Sequence, residues 1–267
     1  MSIRVPPFLF AFFVVTQVLV LSLIPVEVHT ATLQNRLILV GDSTLAPNGG
    51  YGDALCARFS PSVTCINRAK GGRSSKSYRA EGSWNEIEQL FAANRQFATT
   101  YVLVQFGHND QPGKGDRTTS LPEFAANMRR YVHEVRATGA TPVLVTPLTR
   151  RQFKDGKVIR NLDEWAQATR TVAKDTQTIL LDLNADSTAA VERIGPTKAN
   201  LLAQAPPPPA VVAAALTGTT IEAPKPPNVD PPFDYTHLGD KGAEFFAAIV
   251  ADELREGVPE LAKHLKR

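Results

Sequence analysis

Cysteine is scarce in this chain: Cys56 and Cys65 are the only two among 267 residues. Two sulfurs cannot staple a protein of this length, so its stability has to come from an apolar core. Nothing in their spacing demands a bond between them. Cys56 falls in a helical pattern and Cys65 in a short β-like run, so a disulfide and two separate buried thiols are both open. Long runs of one charge are also missing. The net charge is only +3 and no stripe of lysine and arginine occurs, which argues against a nucleic-acid partner. At most, that charge weakly favours encounter with an acidic substrate. No G-x-G-x-x-G follows the first strand-like segment, which argues against a dinucleotide fold. There is no metal-ligand spacing of cysteine and histidine, and neither a metal nor a cofactor is expected. An Asn-x-Ser/Thr sequon and internal repeats are absent as well.

What is present is an ordinary globular composition, 43% hydrophobic and 21% charged, in a chain long enough for one large domain or two small ones. An apolar leader precedes it. Arg4 supplies a positive start, residues 8–24 are almost wholly apolar, Pro25 breaks the run, and Val28-His29-Thr30-Ala31 offers a cleavage region. Residues 1–30 read as a signal peptide and 31–267 as the folded domain, a monomer that is secreted or periplasmic and free of the membrane after cleavage. The competing reading is an uncleaved anchor, since the run approaches the lower length limit for a spanning helix. Cutting after Thr30 removes Arg4 and Glu27, so the net charge stays +3.

The most informative stretch is Leu37-Ile38-Leu39-Val40-Gly41-Asp42-Ser43-Thr44. Its first four residues form an apolar run too short for a helix and ended by glycine, the pattern of a strand buried on both faces. Further strands are predicted over 63–66, 100–106, 141–146 and 178–183. Helices are predicted over 53–59, 84–94, 121–137, 162–174 and 239–254, from apolar spacing and from the glycines and prolines that close them. Strands alternating with helices at short intervals imply parallel β–α–β units in an α/β/α sandwich of three layers. One tract departs from the alternation. Prolines at 206–209 and 224–232 flank an Ala/Val run, and the region around 199–232 reads as an extended, partly polyproline surface insertion.

Polar groups stand directly after three of the apolar strands: Asp42-Ser43, Gly71-Gly72 and Gly107-His108-Asn109-Asp110. Asp234 and His237 open the last helix. In a parallel sheet these strand ends share one rim, where ligands bind. Serine, glycine and asparagine on three loops with an Asp/His pair on a fourth is the inventory of a serine hydrolase. A serine hydroxyl is a poor nucleophile until a base takes its proton, and histidine titrates in the right range. The imidazole in turn needs a carboxylate on its other nitrogen, which Asp234, three residues away, can supply across a single turn. Candidate donors to a tetrahedral oxyanion are the backbone N–H groups of Ser43 and Gly72 and the side-chain amide of Asn109. Taken singly, Ser43 or Asp234 is an ordinary helix cap and Gly72 an ordinary turn glycine. Asp42 is expected to order the turn, with no part in proton transfer.

Gly41-Asp42-Ser43-Thr44, Gly72, Gly107-His108-Asn109-Asp110 and Asp234-Tyr235-Thr236-His237 resemble, in order, the four blocks of the SGNH (GDSL-like) hydrolases. Residues 67–78, Phe106-Gly107-His108-Asn109-Asp110 and 146–153 look like the rhamnogalacturonan acetylesterase branch. The resemblance implies a flavodoxin-like α/β/α fold and removal of acetyl groups from an acetylated pectic polysaccharide or oligosaccharide without a metal. By position it implies Ser43 as nucleophile, His237 as base with Asp234 behind it, and Gly72 and Asn109 as oxyanion donors. The proline-rich tract is longer than that family leads one to expect, and either reshapes one wall of the cleft or is inert. Arg73, Lys76, Arg150 and Arg151 sit on or near the rim loops; they either bind galacturonate carboxylates or are solvated surface charges. Tyr78 and Trp84 either stack on sugars or pack in the interior. A lipase or thioesterase on the same scaffold and a non-catalytic polysaccharide-binding protein are the rival readings.

Overall fold

Leu37, Ile38, Leu39 and Val40 are wholly buried, as a strand covered on both faces must be. The computed structural model describes residues 1–3, 33–224 and 230–266; the predicted signal peptide lies almost entirely outside them. In chain order the elements are β1 (Asn35–Gly41), α1 (Gly52–Ala57), β2 (Val63–Asn67), α2 (Ser77–Ala80), α3 (Ser83–Phe91), β3 (Thr100–Gln105), α4 (Leu121–Ala137) and β4 (Thr141–Val145). There follow a hairpin of β5 (Phe153–Lys154) and β6 (Lys157–Val158), then α5 (Asp163–Asp175), β7 (Ile179–Leu181), α6 (Leu183–Asn200), α7 (Pro209–Leu216), α8 (Asp240–Gly257) and α9 (Pro259–Ala262).

The main sheet runs β2-β1-β3-β4-β7 and every pairing in it is parallel. Alternate residues of each strand point to opposite faces, and two cores result. Leu37, Leu39, Leu103 and Val145 pack with Leu55 of α1, Val191 of α6 and Phe246 and Val250 of α8. Ile38, Val40, Val104 and Leu144 pack with Ile87 of α3, Phe124 and Met128 of α4 and Val172 of α5. The fold is thus the expected three-layer α/β/α sandwich. Consecutive strands β1 and β2 are neighbours, and the chain then crosses to the other side of β1 to lay down β3. That reversal opens a crevice at the carboxyl ends of the strands. Gly41 closes β1 at that edge because nothing larger fits: a Cβ there would lie 2.6 Å from the carbonyl oxygen of Gln105 on β3.

Besides the short helices α2 and α9 and the β5–β6 hairpin, which the sequence pattern does not predict, three features differ from, or add to, the reading of the sequence. Cys56 and Cys65 are bonded, with Cα atoms 5.4 Å apart, tying α1 to β2. Helix α6 is an element that the apolar spacing does not predict; Gly195, at φ 74° and ψ 167°, and Pro196 break it and interrupt its period. The insertion is not extended throughout: its Ala/Val run is helix α7. Val211 of that helix is buried with Phe233 and Tyr235, forming a small core of its own. The insertion is also stitched to the hairpin, Thr220 N–H donating to the Phe153 carbonyl at 2.9 Å and Gly156 N–H to the Gly218 carbonyl at 2.8 Å.

Candidate active site

The turn after β1 is built by Asp42. Its Oδ1 accepts from the backbone N–H of Thr44 at 2.9 Å and from the Thr44 hydroxyl at 2.8 Å. Thr44 Oγ1 accepts from Gln105 Nε2 at 2.7 Å, and Gln105 Oε1 accepts from the Tyr51 hydroxyl at 2.5 Å. All four side chains are buried, so Ser43 stands on a hydrogen-bonded polar floor with its own side chain half-buried. Burial alone would raise the Asp42 carboxyl, but the neighbouring His108 and the two Thr44 donors outweigh it and hold the group below the usual range. His108 is itself pushed down by burial, and its Nδ1 lies 3.4 Å from Asp42 Oδ2.

Ser43 Oγ lies 2.9 Å from His237 Nε2, and His237 Nδ1 lies 2.7 Å from Asp234 Oδ2. The other oxygen of Asp234 accepts from the backbone N–H groups of Thr236 and His237, each at 2.7 Å. Partial burial pushes Asp234 up, yet the bond from the His237 ring, the charge of that ring and the two backbone donors bring the carboxyl down to about 2. The pair does not open the last helix, as the sequence suggested; α8 begins at Asp240, and the contact is made by an Asp-centred turn in the preceding loop.

That loop is held from beneath by Arg151. Its guanidinium donates to the carbonyls of Thr236 at 3.1 Å, Asp234 at 3.1 Å and His237 at 2.9 Å. Its backbone N–H donates to the Tyr235 carbonyl at 2.9 Å. Arg151 is 0% exposed, and burial lowers it to about 10 against the pull of Asp234. The expectation that it meets substrate is therefore corrected: no face of it reaches the cleft. Arg73 is also engaged elsewhere, its Nε bonded to Glu81 at 2.9 Å and its Nη1 to the Gly71 carbonyl at 2.7 Å. Lys76 pairs with Glu123 at 3.5 Å. Tyr78 and Trp84 are buried packing residues.

The opposite wall carries Gly72 and Asn109. Gly72 adopts φ +77°, a conformation glycine reaches without strain. The Asn109 amide donates to the Arg73 carbonyl at 3.0 Å, which fixes the side chain across the two loops. Beneath it, Asp110 fastens the same loops together. Its Oδ1 accepts from the Ser75 hydroxyl at 2.6 Å and from Thr119 at 3.1 Å, and both oxygens accept from the Ser75 N–H at 3.1 Å. Burial drives Asp110 up to about 6 despite those donors.

Between the walls lies a cleft of about 480 Å³ lined by Ser43, Gly72, His108, Asn109 and His237, and by Lys114, Arg117, Arg150 and Gln204. Of the arginines expected at the rim, Arg150 alone faces it. The sequence pattern singles out none of Lys114, Arg117 and Gln204. Lys114 precedes and Arg117 ends a single 3-10 turn (Gly115–Arg117), Gln204 lies in a loop, and neither segment has a periodicity that reveals its direction. None of Lys114, Arg117 and Arg150 has a carboxylate within ion-pair distance among the described residues. Burial, then the charges of Arg150 and Arg117, lowers Lys114; burial lowers Arg150. Three cations without an ion-pair partner thus line the same cleft as the serine, Arg150 feeling the charges of Asp42 and Asp234 at longer range.

A hydroxyl, an imidazole and a carboxylate joined in one chain at the carboxyl edge of a parallel α/β/α sheet are the constellation of a serine hydrolase, and the protein's relatives make the class a carboxylic ester hydrolase. Residues 39–245 match the GDSL-like Lipase/Acylhydrolase family, and the chain belongs to it. It is 32% identical over 239 residues to the rhamnogalacturonan acetylesterase RhgT of Bacillus subtilis, covering 86% of this chain and 92% of that protein. Among solved structures it is similar to YxiM of Bacillus subtilis, with a TM-score of 0.62, 24% identity and coverage of 85% and 58% of the two chains. It is also similar to Axe2, an acetylxylan esterase from Geobacillus stearothermophilus, with a TM-score of 0.55, 17% identity and coverage of 84% and 95%.

Proposed function

We propose that this protein is an exported serine esterase that removes acetyl groups from an acidic plant cell-wall polysaccharide of the rhamnogalacturonan kind. The observation that carries this reading is the alignment of Ser43, His237 and Asp234 on a cleft with three unpaired cations. In the proposed course, Ser43 Oγ attacks the acetyl carbonyl carbon as its proton passes to His237 Nε2. The tetrahedral oxyanion is met by the N–H groups of Ser43 and Gly72 and the Asn109 amide. Collapse breaks the ester bond, the sugar oxygen taking the proton from His237, and leaves acetyl-Ser43. Water then attacks that ester, gives a proton to the same imidazole, and acetate departs as Ser43 regains its hydrogen. Asp234, held well below neutrality, stabilises the imidazolium in both halves.

The acidic part of the reading is supported by Lys114, Arg117 and Arg150, whose charges repel one another when the cleft is empty and are neutralised by a uronate. The relative RhgT is named for rhamnogalacturonan, whereas the more distant Axe2 is named for xylan. The test is acetate release from acetylated rhamnogalacturonan and from acetylxylan. The acidic polymer is expected to be preferred, with kcat/KM falling as salt screens the attraction. Arg150→Met is expected to remove most of that preference while sparing p-nitrophenyl acetate. Equal turnover of the two polymers, unaffected by salt, would leave the esterase but discard the acidic substrate.

Asn109 is the donor most open to testing, since its contribution comes from a side chain. Asn109→Ala is expected to lower kcat by about 10²–10³ with little change in KM, the usual cost of one oxyanion donor. A loss confined to KM would show instead that the amide binds the ground state.

A further inference from the structure

A second depression, of about 390 Å³, opens beside the cleft and shares Lys114, Arg150 and Thr236 with it. Its remaining lining is Gln152, Glu222, Ala223, Phe233, Asp234 and Tyr235. The two spaces are therefore neighbours across a common edge, and the far wall of the second is shared by Glu222 and Ala223 of the insertion and by Phe233 and Tyr235 directly after it. That wall is a built surface. The Tyr235 hydroxyl donates to the Ile221 carbonyl at 2.9 Å, the Phe233 and Tyr235 rings meet edge-on at 5.0 Å, and Ala223 packs against the same small core. Facing it are groups with spare hydrogen-bonding capacity. Arg150 Nη1 is bonded to Asn161 Oδ1 at 3.0 Å, and no other side-chain bond of Arg150 is found among the described residues. Gln152 Oε1 accepts from Asn161 at 2.9 Å, while its amide hydrogens have no acceptor there. Lys114 and Glu222 have no ion-pair partner among the described residues.

We propose that this depression is a subsite for a second sugar of the acetylated chain, walled in part by the insertion, so that the protein acts on a saccharide at least two units long. Cations, an amide and a carboxylate around a polar hollow match the alternating donors and acceptors of sugar hydroxyls. The volume lies in the range of small-molecule sites, roughly 300–1,000 Å³. The insertion is then a specificity element: it binds a part of the substrate that does not react, and that binding assists the reacting ester. The inference rests on the carbohydrate esterase reading above.

The test compares acetylated oligosaccharides of two or more units with the acetylated monosaccharide and with p-nitrophenyl acetate. Wild type is expected to show kcat/KM about tenfold or more higher on the oligosaccharide than on the monosaccharide, the value of one or two good contacts. Ala223→Trp, which fills the hollow, is expected to abolish that gain while leaving p-nitrophenyl acetate within about twofold. Glu222→Ala removes a polar wall group without adding bulk, and is expected to lose about threefold or more on the oligosaccharide alone. Chain-length independence in wild type overturns the subsite, as do losses in both variants that are equal on all substrates. Release of acetate from no saccharide at all, with p-nitrophenyl acetate still hydrolysed, would instead overturn the carbohydrate reading.

Discussion

Replacing Ser43 with alanine is expected to lower acetate release by about 10⁴–10⁶-fold, the scale at which nucleophile and base act as one unit. The prediction follows from the 2.9 Å contact to His237 Nε2 and the 2.7 Å contact from that ring to Asp234. Because the hydroxyl and the imidazole serve one proton transfer, His237→Ala should cost nearly as much, and the double replacement little more than either. A fluorophosphonate should label wild type at Ser43 and label His237→Ala slowly. If Ser43→Ala kept more than a few per cent of wild-type turnover, the imidazole would be activating water directly, and no acyl-enzyme would be involved.

Arg151→Met should have the second largest effect, and it should appear in both stability and rate. The guanidinium satisfies three carbonyls of the loop that carries Asp234 and His237. A thioether satisfies none of them. The His237 carbonyl would keep the Gln204 N–H at 3.3 Å, but leaving the other two acceptors unpaired costs about 1–3 kcal/mol each, part of which entering water would recover. A net loss of about 3 kcal/mol is expected, or roughly 6–12 °C in Tm for a domain of this size. Turnover should fall by about tenfold to a hundredfold, since small displacements of a base from its nucleophile are expensive. Arg151→Lys should recover less than half of either loss, because an ammonium cannot reproduce the planar fork. A Tm and kcat within error of wild type in Arg151→Met would show that the loop holds itself.

Adjacent arginines show how far sequence reading goes. Arg150 and Arg151 stand together after β4, and the sequence offered the same two readings for both, a carboxylate ligand or a surface charge. The chain direction at that point turns Arg150 into the cleft and Arg151 beneath the His237 loop, and neither outcome leaves a local trace. Three of the four polar blocks were legible because each follows a strand, so their position on one rim is a property of any parallel sheet; Asp234 and His237 follow the insertion instead and were legible from their spacing. Lys114 and Arg117 lie in a loop whose path depends on contacts made elsewhere, such as that of Arg117 Nη1 with the Gly72 carbonyl at 3.0 Å. The same distinction separates the helices. Those with an unbroken 3.6-residue period were legible; α6 was not, because Gly195-Pro196 divides it, and α7 was not, because an Ala/Val run between prolines has no polar face to betray its period.

Asp234 and Asp110, one on each side of the cleft, respond to acid in opposite senses. Asp234, brought down to about 2, favours the folded state above its unfolded value near 4, and that contribution drains away as pH falls through 2. Asp110, raised to about 6, does the reverse: its protonated form favours the fold below about 4, and the advantage disappears as pH climbs through 6. Between pH about 6 and 4, acid therefore firms the loops that Asp110 ties together while Asp234 still holds the His237 loop, and only below about 4 does that second hold begin to go.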